Sequence, residues 1–264
     1  MVNSELIFHS QFGEDQILLE VFKNKKNGLC LEVGGNDGVT HSNSFLFESL
    51  EWKCIIIEPI PYLCEKIKSN RPDACILEFA ASNARGTQRF YVAEKVEGMS
   101  TLNISKEHFN KIVKEGGTLR EIKVKTDTLD HLIEPYVSQE IDFVTIDVEG
   151  AEMQVLHGFS LSKWKPRVIL LEDNSAMLDT SVRDYMRKFG YINYMRTGVN
   201  DWYALENDLE LINPLRIKYF NLWRQKTKLK NRIKKIVKNI LPPLALKMIR
   251  AWRTQNRCHA KPTA

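Results

Sequence analysis

Two stretches of the chain each carry several oxygen-bearing side chains that could do chemistry. The first, Ile-Asp-Val-Glu-Gly, contains Asp147 and Glu149, and the second, Leu-Leu-Glu-Asp-Asn, contains Glu172, Asp173 and Asn174. A positioned carboxylate can take a proton from a reacting hydroxyl. Carboxylate and amide oxygens are also the ligands that Mg²⁺ prefers. The sequence therefore predicts either general-base catalysis by Asp147, Glu149 or Glu172, or a Mg²⁺ site formed by Asp147, Asp173 and Asn174.

A glycine-rich turn precedes these stretches and begins at the end of an apolar run. It reads Glu-Val-Gly-Gly-Asn-Asp-Gly from Glu32 to Gly38, and its glycines allow a sharp bend and the close approach of a ligand. Glu58 ends the next apolar run, where a carboxylate can accept hydrogen bonds from both hydroxyls of a ribose. Two ligand classes fit this pattern: a nicotinamide or flavin dinucleotide, and S-adenosylmethionine.

The charges of the turn distinguish these ligand classes. A dinucleotide has a pyrophosphate, which favours the spacing G-x-G-x-x-G at the start of a helix. This turn has the spacing G-G-x-x-G, and the carboxylates of Glu32 and Asp37 would repel a pyrophosphate. The same carboxylates suit the ammonium and sulfonium groups of S-adenosylmethionine. The sequence favours this methyl donor, with a nicotinamide-dependent oxidoreductase and a purely structural turn as the alternatives.

Apolar strands that alternate with amphipathic helices must position these groups. Strands are expected at residues 29–33, 53–58, 74–82, 88–94, 121–126, 141–147, 167–172, 191–198 and 201–205. Buried strands separated by helices indicate a parallel sheet that is covered on both faces. The last two strands read as a hairpin. We therefore predict a Rossmann-like α/β fold whose seven-stranded sheet is mostly parallel and has an antiparallel final strand.

Several motifs resemble the FkbM family of methyltransferases. They are Ser-Gln-Phe-Gly-Glu-Asp from Ser10, LEVGGNDGVTHSNS, IIEP, FAAS, IDFVTIDVEGAEMQVLHGF and LLEDN, and they run in order from about residue 10 to residue 205. The resemblance implies O-methylation, often of hydroxyls on sugars, glycans or polyketide-type natural products. The chain has Glu32 and Gly35 where the family more often has aspartate and alanine, which leaves the donor assignment standing.

The resemblance also implies roles for individual residues. Glu58 would hold the ribose, and Asp147 would lie beside the methionine portion of the donor. The other residues that the sequence places at the donor site are Glu32, Gly34, Asn36, Asp37 and Gly38 in the turn, with Ala80 and Ala81 near the adenine.

The charge distribution divides the chain into an acidic body and a basic tail. The segment 211–264 contains 15 lysines and arginines and no acidic residue. We therefore expect a methyltransferase domain at 1–210 and a basic amphipathic helical tail at 211–264, with Ile233, Ile236, Val237 and Ile240 on one face. The partner expected for residues 211–253 is an anionic membrane surface. Packing on the body or a partner is the alternative, and the tail lacks a nucleic-acid-reading motif.

Other features of the sequence concern the location of the protein in the cell. The chain opens without the basic and apolar regions of a secretory signal, and no run of about 18 apolar residues predicts a membrane span. The five cysteines form no Cys-x-x-Cys pair, so we expect buried free thiols. These features predict a cytoplasmic protein, peripheral at the inner membrane face if the tail attaches there. A non-catalytic domain attached by this tail is a further alternative.

Overall fold

The computed structural model describes residues 6–23 and 25–240 of the 264-residue chain. The helices are α1 (Glu14–Phe22), α2 (Phe45–Glu48), α3 (Pro61–Asn70), α4 (Lys106–Lys114), α5 (Leu129–Ile133), α6 (Glu152–His157), α7 (Leu161–Trp164), α8 (Ser181–Lys188) and α9 (Pro214–Ile240). The strands are β1 (Leu29–Val33), β2 (Lys53–Ile57), β3 (Cys75–Leu77), β4 (Ala80–Ser82), β5 (Gly86–Glu94), β6 (Thr118–Thr128), β7 (Phe143–Ile146), β8 (Val168–Glu172), β9 (Tyr191–Thr197) and β10 (Asn200–Leu205).

Seven strands form the main sheet, in the order β3-β2-β1-β7-β8-β10-β9. The five strands from β3 to β8 are parallel, and β10 is antiparallel to both of its neighbours. This order confirms the predicted Rossmann-like sheet with its antiparallel final strand. β1 lies between β2 and β7, so the strand order reverses there and a crevice opens at the carboxyl ends, where α/β proteins bind ligands.

The apolar pattern of β1 explains why helices cover both faces of this sheet. All five of its residues are buried. Because side chains alternate across a strand, Leu29, Leu31 and Val33 join one apolar cluster, which includes residues of α5, α6 and α8. Cys30 joins a second cluster with residues of α1 and α2. Cys30 and Cys54 are buried free thiols, as expected.

The predicted third strand, residues 74–82, is corrected to two strands in different sheets. β3 pairs with β2 at the edge of the main sheet, whereas β4 pairs with β6 in a three-stranded sheet of order β4-β6-β5. The chain leaves the main sheet between Leu77 and Ala80. The end of α6 lies tightly against β4 and requires glycine: a Cβ on Gly158 would lie 2.1 Å from the Ser82 carbonyl oxygen.

The C-terminal part begins with the expected hairpin of β9 and β10, followed by the long basic helix α9. Leu211, the first residue of the predicted tail, is buried in a cluster with Val168 and Tyr194. No helix within residues 6–23 and 25–240 is long and apolar enough to cross a membrane. Residues 241–264, which include Cys258 and any helix after Pro243, lie outside the described residues.

Candidate active site

A cleft of about 600 Å³ opens at the carboxyl ends of β1, β2, β7 and β8. Its lining comes from the turn after β1, the end of β2, the start of β4, the loop at residues 96–102, helix α4 and the loops after β7 and β8. Both groups of chemistry-bearing residues singled out in the sequence therefore meet in one cavity.

Gly34 makes the turn after β1 possible. Its φ is +90°, and a Cβ at this position would lie 1.9 Å from the carbonyl oxygen of Asp147. Only glycine combines this left-handed conformation with such a close backbone approach. The turn after β1 and the loop after β7 are thereby held in contact, which brings the predicted donor turn beside the acidic residues.

Glu58 lies at the cleft wall directly after β2. One of its carboxylate oxygens accepts a hydrogen bond from the Asn36 backbone amide at 3.0 Å, and the other accepts from the Ile60 amide at 2.9 Å. Burial raises the pKa of Glu58 to about 7, although the two amides oppose this shift. The carboxylate is thus fixed in orientation, and each oxygen keeps a second lone pair for a ligand hydroxyl.

Glu32 lines the inner end of the cleft, but its carboxylate is already engaged by the protein. It accepts hydrogen bonds from the hydroxyls of Ser42 and Ser44, from the Asn43 amide and from Arg71. A carboxylate has about four acceptor positions. Glu32 therefore uses the acceptor positions of its carboxylate to hold residues 42–44, in the loop after the glycine turn.

Arg71 was not singled out in the sequence, yet it is the buried centre of this network. Its side chain is fully buried, and it donates to Glu48 at 2.7 Å, to Glu32 at 3.2 Å and to the Gly38 carbonyl at 3.2 Å. An arginine just past the end of α3 carries no sequence signal for such a role. Its guanidinium connects β1 and α2 with the glycine turn that ends at Gly38.

The remaining predicted donor residues divide into two groups. Asn36, Ala80 and Ala81 line the cleft, where the two alanines form part of an apolar wall with Phe79 and Ile60. Asp37 and Gly38 do not line it. The Asp37 carboxylate instead accepts hydrogen bonds from the amides of residues 39 and 40 and so shapes the turn.

Asp147, Glu149 and Glu172 meet at the other end of the cleft. An oxygen atom of each side chain lies within 4.8 Å of those of the other two. Glu149 and Glu172 are buried, whereas Asp147 is exposed in the cleft lining. We call these three residues the acidic cluster.

The acidic cluster retains protons at neutral pH. Burial, together with the charges of its neighbours, raises the pKa of Glu172 well above the usual carboxyl range. Burial likewise raises the pKa of Asp147, which Glu149 raises further. Carboxylates this close do not all ionise together. A proton on Glu172 can therefore be shared with Asp147.

Asp173 is not brought into the acidic cluster. Its carboxylate pairs with Arg196 at 2.9 Å and accepts hydrogen bonds from the amides of Ser175 and Met177. The alternation of side chains at a strand end explains this, since the flanking residues Glu172 and Asn174 both line the cleft. Of the three predicted Mg²⁺ ligands, only Asp147 and Asn174 face the cavity.

Two basic residues of α4 approach the acidic cluster, and no motif in the sequence singles them out. The Lys111 amine lies 4.0 Å and the His108 ring 3.7 Å from the Glu149 carboxylate. Asn174 donates to the same carboxylate at 3.0 Å. The i, i+3 spacing of the two basic residues on one helix is the only local signal. Lys111 thus gives Glu149 a cationic neighbour.

The N-terminal motif holds a segment over the cleft. The buried carboxylate of Asp15 accepts hydrogen bonds from the amides of His9 and Ser10. Buried Glu14 accepts from the Phe12 amide and from Asn200 in the hairpin. These bonds place Gln11 and Phe12 in the cleft lining.

Sequence comparison decides the family. A profile of the methyltransferase FkbM domain matches residues 32–192, more than half of the chain. The chain belongs to the FkbM methyltransferase family. The matched region begins at Glu32 in β1 and ends in β9, so it contains Glu58 and the whole acidic cluster. The family is defined by a methyltransferase domain.

Solved methyltransferases are similar at low identity. Methyltransferase FkbM from Methylobacillus flagellatus KT shares 12% identity at a TM-score of 0.41, over 77% of this chain and 46% of that one. This chain thus aligns with about half the length of that enzyme. M. capricolum TrmK, in complex with S-adenosyl-homocysteine, shares 12% identity at a TM-score of 0.42, over 91% of this chain and 92% of that one. No curated protein matches the sequence.

Proposed function

We propose that this FkbM-family chain transfers the methyl group of S-adenosylmethionine to a hydroxyl oxygen of a sugar, a glycan or a related natural product. The observation that carries the proposal is the pairing, within one cleft, of the fixed Glu58 carboxylate with an acidic cluster. Glu58 suits the ribose of the donor, and the cluster suits both its positive charge and the removal of a proton.

The residues along the cleft fit S-adenosylmethionine. Glu58 would accept hydrogen bonds from the ribose hydroxyls, while the apolar wall of Ile60, Phe79 and Ala80 would cover the adenine. Asp147 would face the ammonium and sulfonium groups, whose positive charges favour its ionised form. The bound donor supplies an electrophilic methyl group on a positively charged sulfur.

Glu149 is the side chain that we assign as general base. Lys111 and Asn174 stabilise its carboxylate, and burial places its pKa near 7, which suits a base that works at neutral pH. Its oxygen would take the proton of the acceptor hydroxyl as the new oxygen–carbon bond forms and the sulfur–methyl bond breaks, with S-adenosylhomocysteine as the leaving group. Glu172 would keep its own proton and hold Asp147 in place.

The polar groups around the acceptor side favour a hydroxylated acceptor. Side-chain amides line this region of the cleft at Gln11, Asn43, Asn174 and Asn200. Amides offer both donors and acceptors, which is what several neighbouring hydroxyls require. The loop at residues 96–102 closes the same side, and Thr101 ties it to the Val148 carbonyl.

Mg²⁺ bound at the cluster is the second mechanism. Asp147, Glu149 and Glu172 together offer hard oxygen ligands, and the metal would bind and acidify the acceptor hydroxyl. Activity that disappears with EDTA and returns with Mg²⁺ would establish this mechanism. Activity that is indifferent to EDTA and lost in Glu149→Gln would establish the general base.

Calorimetric titration with S-adenosylmethionine and with NAD tests the donor class. We expect binding of the first compound only, because the carboxyl groups of Asp147 and Glu149 line the cleft and favour a positively charged ligand over a pyrophosphate. Methyl transfer to a panel of sugar and glycan hydroxyls then tests the reaction. NAD binding would establish the oxidoreductase alternative, and donor binding without turnover on any acceptor would establish a non-catalytic domain.

A further inference from the structure

Helix α9 presents an apolar stripe to solvent. Its members lie three, four or seven residues apart along the described helix and are 46% to 71% exposed: Leu215, Tyr219, Leu222, Leu229, Ile233 and Ile236. Such spacing places them on one face of a helix. Trp223, which is 46% exposed, adds an aromatic ring beside this stripe. We call this set the α9 stripe.

The opposite face of α9 explains why the stripe points outward. The side chains that turn toward the body include Ile217, Arg224 and Asn231. Ile217 packs on an apolar cluster, Arg224 donates to Asn193 on β9 at 2.8 Å, and Asn231 donates to the Ala176 carbonyl at 3.1 Å. Contacts along the helix thus fix its orientation and leave the stripe uncovered within the described residues.

Basic side chains border the α9 stripe on both sides. Exposed Arg216, Lys230 and Lys234 lie on one border, and Lys218 and Arg232 lie on the other. Exposed Lys226 occupies the stripe itself, and α9 contains no acidic residue. Long basic side chains at the border of an apolar face can extend toward a charged surface while their stems remain in apolar surroundings. The stripe is therefore an apolar surface within a ring of positive charge.

We propose that the α9 stripe docks on an anionic lipid bilayer. The apolar residues would enter the boundary between headgroups and acyl chains, while the basic border would contact anionic headgroups. Pairing with the α9 helix of a second copy fits less well, because two such helices would bring like charges together without an acidic partner. A nucleic acid would satisfy the basic residues but would leave the leucines and isoleucines uncovered.

The position of α9 relates this surface to the cleft. Ala176, which Asn231 contacts, follows Asn174 of the cleft lining by two residues. The C-terminal half of the helix therefore lies at the same edge of the sheet as the cleft. Docking would hold the cleft near the bilayer and favour a lipid-linked acceptor; only this consequence for the acceptor rests on the proposed function.

Vesicle sedimentation of the full chain tests the proposal without any donor or acceptor. We expect binding to vesicles of phosphatidylcholine mixed with phosphatidylglycerol, little binding to phosphatidylcholine alone, and release at high salt. Lys226→Glu/Lys230→Glu should weaken binding by at least about 25-fold, since each basic residue at a surface contributes about fivefold. Leu229→Ser/Ile233→Ser should also weaken it.

The matched control is Lys123→Glu/Lys125→Glu, which changes the same charges on exposed positions of β6. We expect this variant to bind vesicles as the wild type does, and all variants to keep their circular dichroism and affinity for S-adenosylmethionine. Equal binding to both vesicle types, or equal losses in the control and the α9 variants, would overturn the proposal. So would sedimentation of the protein as a dimer that the Leu229→Ser/Ile233→Ser variant abolishes while vesicle binding is absent.

Discussion

Replacing Glu58 with glutamine should weaken donor binding strongly while the protein stays folded. Both carboxylate oxygens are held by backbone amides, at 3.0 Å from Asn36 and 2.9 Å from Ile60. In the variant, the amide nitrogen can accept no hydrogen bond, so one ribose contact and the negative charge are lost. A hydrogen bond to a charged group contributes about 1.5 to 3 kcal/mol. We therefore expect a loss of about 3 kcal/mol, or about 150-fold in Kd.

The pH dependence makes this prediction specific to the carboxylate. Because burial raises the pKa of Glu58 to about 7, the wild type loses its ionised acceptor as the pH falls below 7. A protonated glutamate then resembles glutamine in shape and hydrogen bonding. The difference in Kd between wild type and variant should be largest at pH 8 and should largely close by pH 5.

Isothermal titration with S-adenosylmethionine measures both effects. Glu65→Gln, on the exposed side of α3, is the matched control and should bind like the wild type. A urea unfolding curve for each variant shows whether the fold persists. A well-folded Glu58→Gln protein with wild-type affinity at pH 8 would refute the assignment of Glu58 to the ribose.

Four further predictions concern stability and catalysis. Gly34→Ala should lower the free energy of unfolding by more than about 3 kcal/mol, because its Cβ would meet the Asp147 carbonyl. Gly116→Ala, at a similar φ of +85° but with no atom within 4 Å, should cost only about 1 to 2 kcal/mol in the same urea assay. Arg71→Met should destabilise the protein by about 3 to 5 kcal/mol, since it leaves Glu32 buried without its cation; Arg85→Met, at an exposed position, should change the melting temperature little. Glu149→Gln should lower kcat by about 100-fold or more with nearly unchanged donor Kd, whereas exposed Glu121→Gln should keep wild-type kcat. Because its pKa is raised, the Glu58 carboxyl group binds a proton more tightly in the folded apo-protein than in the unfolded chain. The contribution of Glu58 to the free energy of unfolding is therefore greatest below pH 4.5 and declines by about 3 kcal/mol as the pH rises to 7. Denaturation curves across this pH range should show a smaller decline for Glu58→Gln than for the wild type.

The main sheet was predictable because its central strands carry their signal locally. β1, β2, β7 and β8 are continuous apolar runs bounded by polar turns, and such runs indicate strands that are covered on both faces. The glycine turn and Glu58 follow two of these strands directly. Strand ends at the carboxyl edge of a parallel sheet converge, so the meeting of these residues with Asp147 also followed from the pattern.

The division between β3 and β4 could not be predicted in the same way. Residues 74–82 are mostly apolar and contain one charged residue, Glu78. That single residue does not show that Ala80–Ser82 pair outside the main sheet, which the distant β6 determines. The burial of Arg71 likewise depends on carboxylates that lie 39 and 23 residues away in the chain. Contacts between residues that are far apart in the chain produce no periodic pattern in the sequence.

The position of Asp173 could have been predicted by a stricter use of strand geometry. It lies between Glu172 and Asn174, and neighbouring side chains at a strand end point to opposite sides. A metal site that used both Asp173 and Asn174 therefore required an irregular backbone. Arg196 on β9 takes the side chain that faces away from the cleft.

Because β4 leaves the main sheet, the two walls of the cleft belong to different sheets. The turn after β1 and Glu58 stand on the seven-stranded sheet, whereas the loop at residues 96–102 follows β5 of the three-stranded sheet, with Thr101 bonded to Tyr91. Insertions or exchanges in that loop would alter the acceptor side of the cleft without disturbing β1 and β2, which carry the glycine turn and Glu58. On the proposed assignment, members of the family could differ in the acceptor that they methylate while the residues that bind S-adenosylmethionine stay the same.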